Sequence, residues 1–188
     1  LAYFEPAYAD EVALFMRWAF EYLQKPEGSS VYLRLSTRQI QQVTREDTQW
    51  EEDALKGGYW LRKPSQGSQA AIAFTGAIAP EILSAYEQLV DDVPGLGVLN
   101  ITSPDVLHRE WSAQKAARWT GQKGPVSHIE TLLSELAPHA GIVTAIDGSP
   151  GALSWIGGVK GMRISPLGTD QFGHTGDLPD LYRSYRLD

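Results

Sequence analysis

The pattern of apolar positions in the first part of the chain predicts one amphipathic helix followed by one strand. Between residues 9 and 23 the apolar side chains recur at helical spacing, and Asp10 and Glu11 lie at the end of the helix where negative charge is favoured. Residues 30–35 alternate in the manner of a strand. One helix and one strand cannot bury a core alone, so we expect this segment to pack against another part of the protein.

The pattern weakens between residues 36 and 68. Two charged runs at residues 45–47 and 51–53 indicate a solvated surface, and residues 59–61 predict a short strand. Residues 64–68 are rich in Pro, Ser and Gly, which is typical of a linker or a hairpin turn. We therefore expect a domain boundary within this stretch.

Beyond residue 68 strands and helices alternate regularly. The near-continuous apolar runs are typical of parallel strands that are covered on both faces. Ser127 and Glu130, three residues apart ahead of an apolar run, predict a capping box. Strands are predicted at residues 69–75, 98–101, 141–146 and 161–164, and helices begin near Pro80, Ser103, Ser127 and Ser149. This alternation predicts a three-layer α/β/α fold with a mostly parallel sheet and right-handed crossovers.

Three segments follow from these patterns. Residues 1–37 are interpreted as a helix–strand remnant of a preceding domain, residues 38–68 as a linker or extension, and residues 69–188 as the α/β domain. The first residues resemble neither a methionine start nor a signal peptide, so we expect the chain to begin inside a longer one.

Composition excludes several classes of protein. The 188 residues carry a formal net charge of −7, which argues against nucleic acid or an anionic membrane as a partner. There is no cysteine, hence no disulfide, no thiolate metal site and no cysteine nucleophile. The apolar runs are far shorter than the ~20 residues that a membrane span needs. Six tryptophans are scattered along the chain, as expected for cores and subunit interfaces rather than for one ligand platform.

Residues 148–151 are a candidate binding turn. They follow a predicted strand and open a helix, so their free amides could hold an anion; an ordinary strand-to-helix turn is the favoured interpretation. The turn is one residue short of a nucleophile elbow, and the chain contains no dinucleotide or phosphate-loop motif.

The histidines predict no metal site, because none has the spacing of metal ligands. His108, His128 and His139 fall in or beside predicted helices and are interpreted as surface or boundary residues. His174 lies in a glycine-rich segment, where an imidazole could donate to a phosphate or transfer a proton. A hydrogen bond at an interface is the favoured alternative, so no catalytic residue is assigned and His174 is only a weak candidate.

The glycine-rich segment at residues 168–176 is the most distinctive motif. Its glycines allow sharp bends and close approach of the backbone, and Phe172 is interpreted as a buried plug that fixes the loop. If Phe172 is buried in this way, Phe172→Ala should lower the free energy of unfolding by about 3–5 kcal/mol. A helix is predicted at residues 178–185. The candidate interface residues of the loop are Asp170, Phe172, Gly173, His174 and Gly176.

Several stretches resemble a known superfamily. Residues 4–11 with residues 30–37 resemble the end of the pyrimidine-binding domain of homodimeric pyruvate dehydrogenase decarboxylase components. Residues 57–61 are similar to that family's lead into its C-terminal domain, and residues 98–107 to a strand–helix step there. Residues 167–176 resemble the Gly-x-Asp-x-Phe-Gly-x-Ser-Gly loop of the transketolase superfamily. The resemblance covers essentially the whole chain.

Two departures limit what is carried over. Thr175 stands where transketolases usually have Ser, and residues 38–42 lack a histidine that some pyruvate dehydrogenases carry in a nearby active-site loop. No role of that histidine is assigned to this chain.

The resemblance implies an enzyme that uses thiamine diphosphate and Mg²⁺ to decarboxylate a 2-oxo acid and passes the acyl group to a lipoyl acyltransferase core. It places the cofactor upstream of this chain, which is expected to bind none. Residues 1–37 would be the tail of the pyrimidine-binding domain, and residues 69–188 a transketolase-like C-terminal domain serving assembly and dimerisation. The implied partners are a homodimer partner and the upstream catalytic domains, in the cytoplasm of a bacterium or the mitochondrial matrix.

Two other hypotheses remain open. The chain could be a freestanding transketolase-C-like module that docks a separate catalytic subunit. It could also be an independent enzyme that pairs His174 with a carboxylate such as Asp170 or Asp177.

Overall fold

The N-terminal segment forms a helix over a small sheet. The computed structural model describes residues 1–122, 124–170, 173 and 175–185. Strands β1 (Ala2–Phe4) and β2 (Val31–Leu33) pair in parallel, and helix α1 (Ala9–Tyr22) lies between them in the chain. The predicted helix is confirmed. Strand β1 was not predicted, because three residues are too few to show an alternating pattern.

The charged run at residues 51–53 lies in a helix that the sequence did not predict. Residues Gln49–Leu55 form helix α2, although the sequence indicated only a solvated surface there. The helix forms because Ala54 is fully buried and Trp50 packs against the same cluster, while the carboxylates around them stay partly or fully exposed. Leu55 also packs there, but three apolar residues within a seven-residue helix are too few to reveal the helical period in the sequence.

The main sheet has five strands in the part of the chain that the structure describes. They are β3 (Gly58–Arg62), β4 (Ser68–Thr75), β5 (Gly97–Ile101), β6 (Leu136–Ile146) and β7 (Arg163–Leu167). Their order across the sheet is β3-β5-β4-β6-β7; β3 is antiparallel to β5 and the other pairs are parallel. The predicted mostly parallel α/β fold is confirmed. Strand β6 extends five residues further towards its N-terminus than predicted, and β7 ends three residues later than predicted.

Two of the remaining helices begin directly after the serines that predicted their starts. The helices that follow are α3 (Ala79–Leu89), α4 (Pro104–Trp119), α5 (His128–Leu132), α6 (Gly151–Ser154) and α7 (Leu178–Tyr185). At the start of α4 the Ser103 hydroxyl accepts a hydrogen bond from Val106 N at 3.2 Å. The predicted capping box at α5 is confirmed. Although burial opposes ionisation, hydrogen bonds from Arg118 and Ser127 lower the pKa of Glu130 to about 2.

The sheet is covered on both faces, because neighbouring residues of a strand point to opposite sides. Along β4, Ala71 and Ala73 face one apolar layer, which includes α4, α5 and α6. Ile72 and Phe74 face the other layer, which includes α3. A third cluster, with Phe4, Phe15 and Tyr59 among its buried members, joins the N-terminal segment to β3. The assignment of residues 1–37, 38–68 and 69–188 to separate units stays a prediction, although β3 belongs to the main sheet.

The packing of α1 makes a matched pair of substitutions informative. Phe15 is 0% exposed and stacks on Phe4 with ring centroids 4.4 Å apart, whereas Phe20 on the same helix is 63% exposed. We expect Phe15→Ala to lower the free energy of unfolding by about 3–5 kcal/mol. Phe20→Ala should change it by no more than about 0.5 kcal/mol. Urea denaturation of both variants checks this; equal effects would contradict the arrangement of α1.

Candidate functional site

The topology of the sheet points to the carboxyl ends of β4 and β6. The chain leaves β4 through α3 on one face and leaves β6 through α6 on the other face. In open α/β sheets, ligands bind in the crevice outside the strand ends where the connections diverge in this way. The residues that occupy this crevice are therefore the first candidates for a site.

A charge cluster from the N-terminal segment reaches into this crevice. Arg34 donates from Nη1 to Glu5 Oε2 at 2.9 Å and from Nη2 to the carbonyl oxygen of Asp147, just beyond β6, at 2.6 Å. Tyr3 donates its hydroxyl hydrogen to the Glu5 carboxylate. Gly76, just beyond β4, has φ +69°, and a Cβ there would lie 3.2 Å from Glu5 Oε2. Burial raises the pKa of Glu5, although Arg34 opposes that shift.

A second arginine joins α3 and α7 beside this cluster. Arg38 donates to both carboxylate oxygens of Glu81, at 2.6 and 2.8 Å, and to the Tyr182 hydroxyl at 2.9 Å. It also donates to the carbonyl oxygen of Ala77 at 3.3 Å. Residues 34–38 thereby attach the N-terminal segment and the C-terminal helix to the same edge of the sheet.

A buried carboxylate on α1, that of Glu11, connects this helix to strands β3 and β5 of the main sheet. Glu11 is 0% exposed and accepts hydrogen bonds at Oε1 from the Tyr59 hydroxyl at 2.5 Å and from Asn100 Nδ2 at 2.6 Å. Its Oε2 accepts from the backbone N–H groups of Ala7 at 2.7 Å and of Tyr8 at 3.2 Å. Burial raises the pKa of Glu11, and these hydrogen bonds act against the shift. One carboxylate thus ties α1 to β3 and β5.

Arg45 occupies an aromatic cage next to Glu11. Its Nε donates to Asp10 Oδ2 at 2.6 Å, and its Nη2 lies 3.5 Å from Glu11 Oε1. The sequence indicated a solvated run here, which is wrong for Arg45, since its side chain is only 17% exposed. The sequence could not predict this cage, because Tyr8, Trp50 and Tyr59 are not related by a recognisable spacing. The guanidinium carbon lies 4.1, 5.2 and 5.3 Å from the ring centroids of Trp50, Tyr59 and Tyr8.

The structure describes only three of the five predicted loop residues. Phe172 and His174 lie outside the described residues, so the predictions for them stay untested. Asp170, Gly173 and Gly176 are exposed. A Cβ added at Gly173 would meet no described atom within 4 Å.

The base of this loop packs against the turn at residues 148–151. Thr169 N donates to the carbonyl oxygen of Gly148 at 2.7 Å. A Cβ on Gly168 would lie 2.5 Å from that oxygen, so only glycine allows this approach. The turn leads into the four-residue helix α6. These contacts support the favoured interpretation, an ordinary strand-to-helix turn.

The three described histidines do not converge. His108 packs beside Trp155 with ring centroids 5.0 Å apart, and His139 lies in an exposed position with Nδ1 3.0 Å from Gly161 O. The prediction of a surface or boundary position is wrong for His128, which is buried, at 9% exposed, with Nε2 2.8 Å from Gly58 O. The described residues contain no group of three or more potential ligands placed to hold a metal ion. Nor does any described helix combine the length and apolarity needed to cross a membrane.

The buried carboxylate predicts an unusual dependence of stability on pH. Because the pKa of Glu11 is raised above its ordinary value of 4.5, the folded protein binds this proton more tightly than the unfolded chain does. Its contribution to the free energy of unfolding is therefore largest below pH 4.5 and is lost as the pH rises through the raised pKa. We expect the difference between the protein and Glu11→Gln to change by up to about 1.4 kcal/mol per pH unit within that window.

Glu11→Gln also places amide hydrogens against donors, which should cost about 1–3 kcal/mol. Urea denaturation at several pH values measures both effects. Glu21→Gln, an exposed change on the same helix, is the control and should show neither. A difference that is independent of pH would show that the pKa of Glu11 is not raised.

Comparison with known proteins gives a fold but no sequence family. No protein-family model matches the chain, and no curated protein matches it either. The structure is similar to transketolase from Pichia stipitis in complex with sedoheptulose 7-phosphate, with a TM-score of 0.63 and 18% identity. That similarity covers 99% of this chain and 23% of the transketolase chain.

A split-gene transketolase, solved as an inactive tetramer of four β subunits, is also similar, with a TM-score of 0.64 and 18% identity. The similarity covers 98% of this chain and 53% of the chain of that transketolase. The chain thus spans about a quarter of the first and about half of the second. Its fold is that of a part of the transketolase structure, as the resemblance of the sequence implied.

Proposed function

We propose that this chain is the C-terminal assembly part of a thiamine-diphosphate-dependent 2-oxo acid dehydrogenase decarboxylase component, of the homodimeric pyruvate dehydrogenase type, and has no catalysis of its own. The observation that carries the proposal is the contact of Arg34 with Glu5 and with the carbonyl oxygen of Asp147 at the crevice between β4 and β6. Open α/β sheets usually bind small molecules at this crevice. In this protein the same crevice is where the N-terminal segment contacts the sheet.

The N-terminal segment supports the assembly role. Its strands β1 and β2 form a parallel pair, and parallel sheets are normally larger and covered on both faces. Residues 1–37, which resemble the tail of a pyrimidine-binding domain, would therefore be completed by the upstream catalytic domains. Residues 38–68 connect this tail to the C-terminal domain at residues 69–188.

The charges at the sheet edge suit neither Mg²⁺ nor a diphosphate. Glu5 and Asp147 are paired with Arg34, whose positive charge opposes a metal ion, and the two carboxylates oppose an anion. We therefore assign thiamine diphosphate and Mg²⁺ to upstream domains and derive no catalytic step from this chain. In this proposal the loop at residues 170–176 makes interface contacts, and the partners are a second copy of the enzyme and the lipoyl acyltransferase core. The location is the cytoplasm of a bacterium or the mitochondrial matrix.

The alternative is a freestanding module that docks a separate catalytic subunit. It is favoured by the split-gene transketolase, because a chain of which this fold forms 53% exists there as a separate polypeptide. In that case assembly would occur between chains instead of within one. The two alternatives differ in whether the source protein continues upstream of Leu1.

Calorimetric titration of the 188-residue chain with thiamine diphosphate and Mg²⁺, together with its mass from light scattering, tests the proposal. We expect a folded monomer or dimer that gives no more heat with the cofactor than with Mg²⁺ alone. Saturable binding at micromolar cofactor would show that the cofactor site has been placed in the wrong domain.

A further inference from the structure

Strand β3 is one of the two edge strands of the main sheet, and β7 is the other. Strand β3 pairs with β5 on one side, and its other side pairs with no strand among the described residues. A free edge offers backbone N–H and C=O groups to any extended chain, and proteins usually cover such an edge. Helix α2 and Trp50 cover the end of β3 near Tyr59, which is 2% exposed. The stretch from Trp60 to Arg62 has no strand partner on this side among the described residues; its register with β5 shifts between Trp60 and Arg62, and Arg62 Nη1 donates to Leu61 O at 3.1 Å.

Two cavities open along this edge, one on each face of the sheet. One, of about 670 Å³, lies towards α4 and α5 and is lined by Glu110 and His128 among others. The other, of about 1110 Å³, lies towards α3 and is lined by Leu83 and Glu87 among others. Both share five lining residues: Asp47, Trp50, Tyr59, Trp60 and Lys63.

The side chains of β3 alternate between the two faces of the sheet, and those of an added strand would alternate in the same way. Trp60 points towards α5, where its Nε1 donates to Leu132 O at 3.2 Å. Leu61, the next residue, packs against the cluster on the α3 face. An extended peptide beside β3 would likewise send alternate side chains into the two cavities, which is how strand addition obtains specificity.

The charges of the smaller cavity decide what kind of peptide fits. Its lining includes four carboxylates and two lysines. Lys63 is paired with Glu135 at 3.1 Å, and Lys56 with Glu52 outside the lining at 2.6 Å. Glu110 is in none of the described ion pairs, although Lys56 interacts with it electrostatically; its carboxylate accepts a hydrogen bond from the backbone N–H of His128 at 2.9 Å. The carboxylates of the lining are Asp47, Asp53, Glu110 and Glu135.

The larger cavity has a mixed lining, in which four aliphatic side chains lie among polar and charged ones. Ile40, Val43, Leu61 and Leu83 contribute to its lining, and its charged residues include both signs. The two cavities therefore favour a strand that alternates basic and apolar side chains. The net charge of −7 on the chain would also attract such a peptide.

We propose that the open edge of β3 is a docking site for an extended basic–apolar segment of a partner protein, which binds by adding a strand to the sheet. The proposal needs neither the cofactor nor the assembly role proposed above, so it can fail or succeed independently of them.

Fluorescence anisotropy with a labelled nine-residue peptide of alternating Lys and Val tests the charge requirement. We expect saturable binding that weakens as salt is added, and binding at least about tenfold weaker for the matched peptide of alternating Glu and Val. Equal affinity for the two peptides, or binding of neither, would overturn the proposal.

Glu110→Gln tests the cavity itself. The amide oxygen can still accept from His128 N, so the fold should be kept, while affinity for the Lys peptide falls about three- to tenfold. Glu21→Gln is the matched control and should leave affinity unchanged, since Glu21 lines neither cavity. Equal losses in both variants would show that only the net charge matters and would contradict the docking site.

N-methylation of the peptide tests strand addition. Methylating the alternate amides that face β3 removes their N–H groups and should abolish binding, whereas methylating the other set should not, because those amides face solvent. Equal sensitivity of the two sets would exclude strand addition. Light scattering identifies a competing occupant: a dimer that the peptide cannot dissociate would mean that a second copy covers the edge and that the proposal is wrong.

Discussion

The full burial of the Glu11 carboxylate makes the N-terminal segment and the main sheet depend on each other. Its four hydrogen bonds come from α1's own N-terminal turn and from β3 and β5, so none of these elements can separate without exposing unpaired donors around an ionisable group. A buried ion is tolerated only when such partners surround it. The helix therefore cannot be treated as a loosely attached remnant, even though its sequence resembles the end of another domain.

The irregular stretch between β2 and α2 is ordered by side chains in place of backbone pairing. Arg34, Arg38 and Arg45 each pair with an acidic residue from a different part of the fold, and Gln42 accepts a hydrogen bond from Ala9 N at 2.7 Å. Arginine suits this task because its planar group can hold a carboxylate and stack on rings at once. Such contacts give little stability where they are exposed, yet they determine where the stretch lies.

Local signals in the sequence were enough for much of the fold. Helix α1 is revealed by its apolar spacing, and the starts of α4 and α5 by Ser103 and Ser127, because capping acts over three residues of chain. The apolar run of β4 likewise needs no distant partner to be recognised. Strand β1 and helix α2 were missed, since each owes its structure to contacts with distant residues more than to its own pattern.

The candidate site was harder to predict for the same reason. The burial of Glu11 requires Tyr59 and Asn100, which are 48 and 89 residues away in the chain. His128 was assigned to a surface or boundary position because nothing near it in the sequence indicates that Gly58 O lies beside its ring. Charged residues also mislead by default: a run such as residues 45–47 is usually solvated, and only the three rings around Arg45 make that position an exception.

A fold shared at 18% identity does not by itself determine function, because one architecture can carry many sites. What separates the possibilities is how each edge of the sheet is used. The carboxyl edge, where a small molecule would bind, is occupied by Arg34 and Glu5 of the same chain. The lateral edge at β3 is covered only in part. Contacts within the chain thus occupy the carboxyl edge between β4 and β6, while the lateral edge at β3 has no strand partner among the described residues.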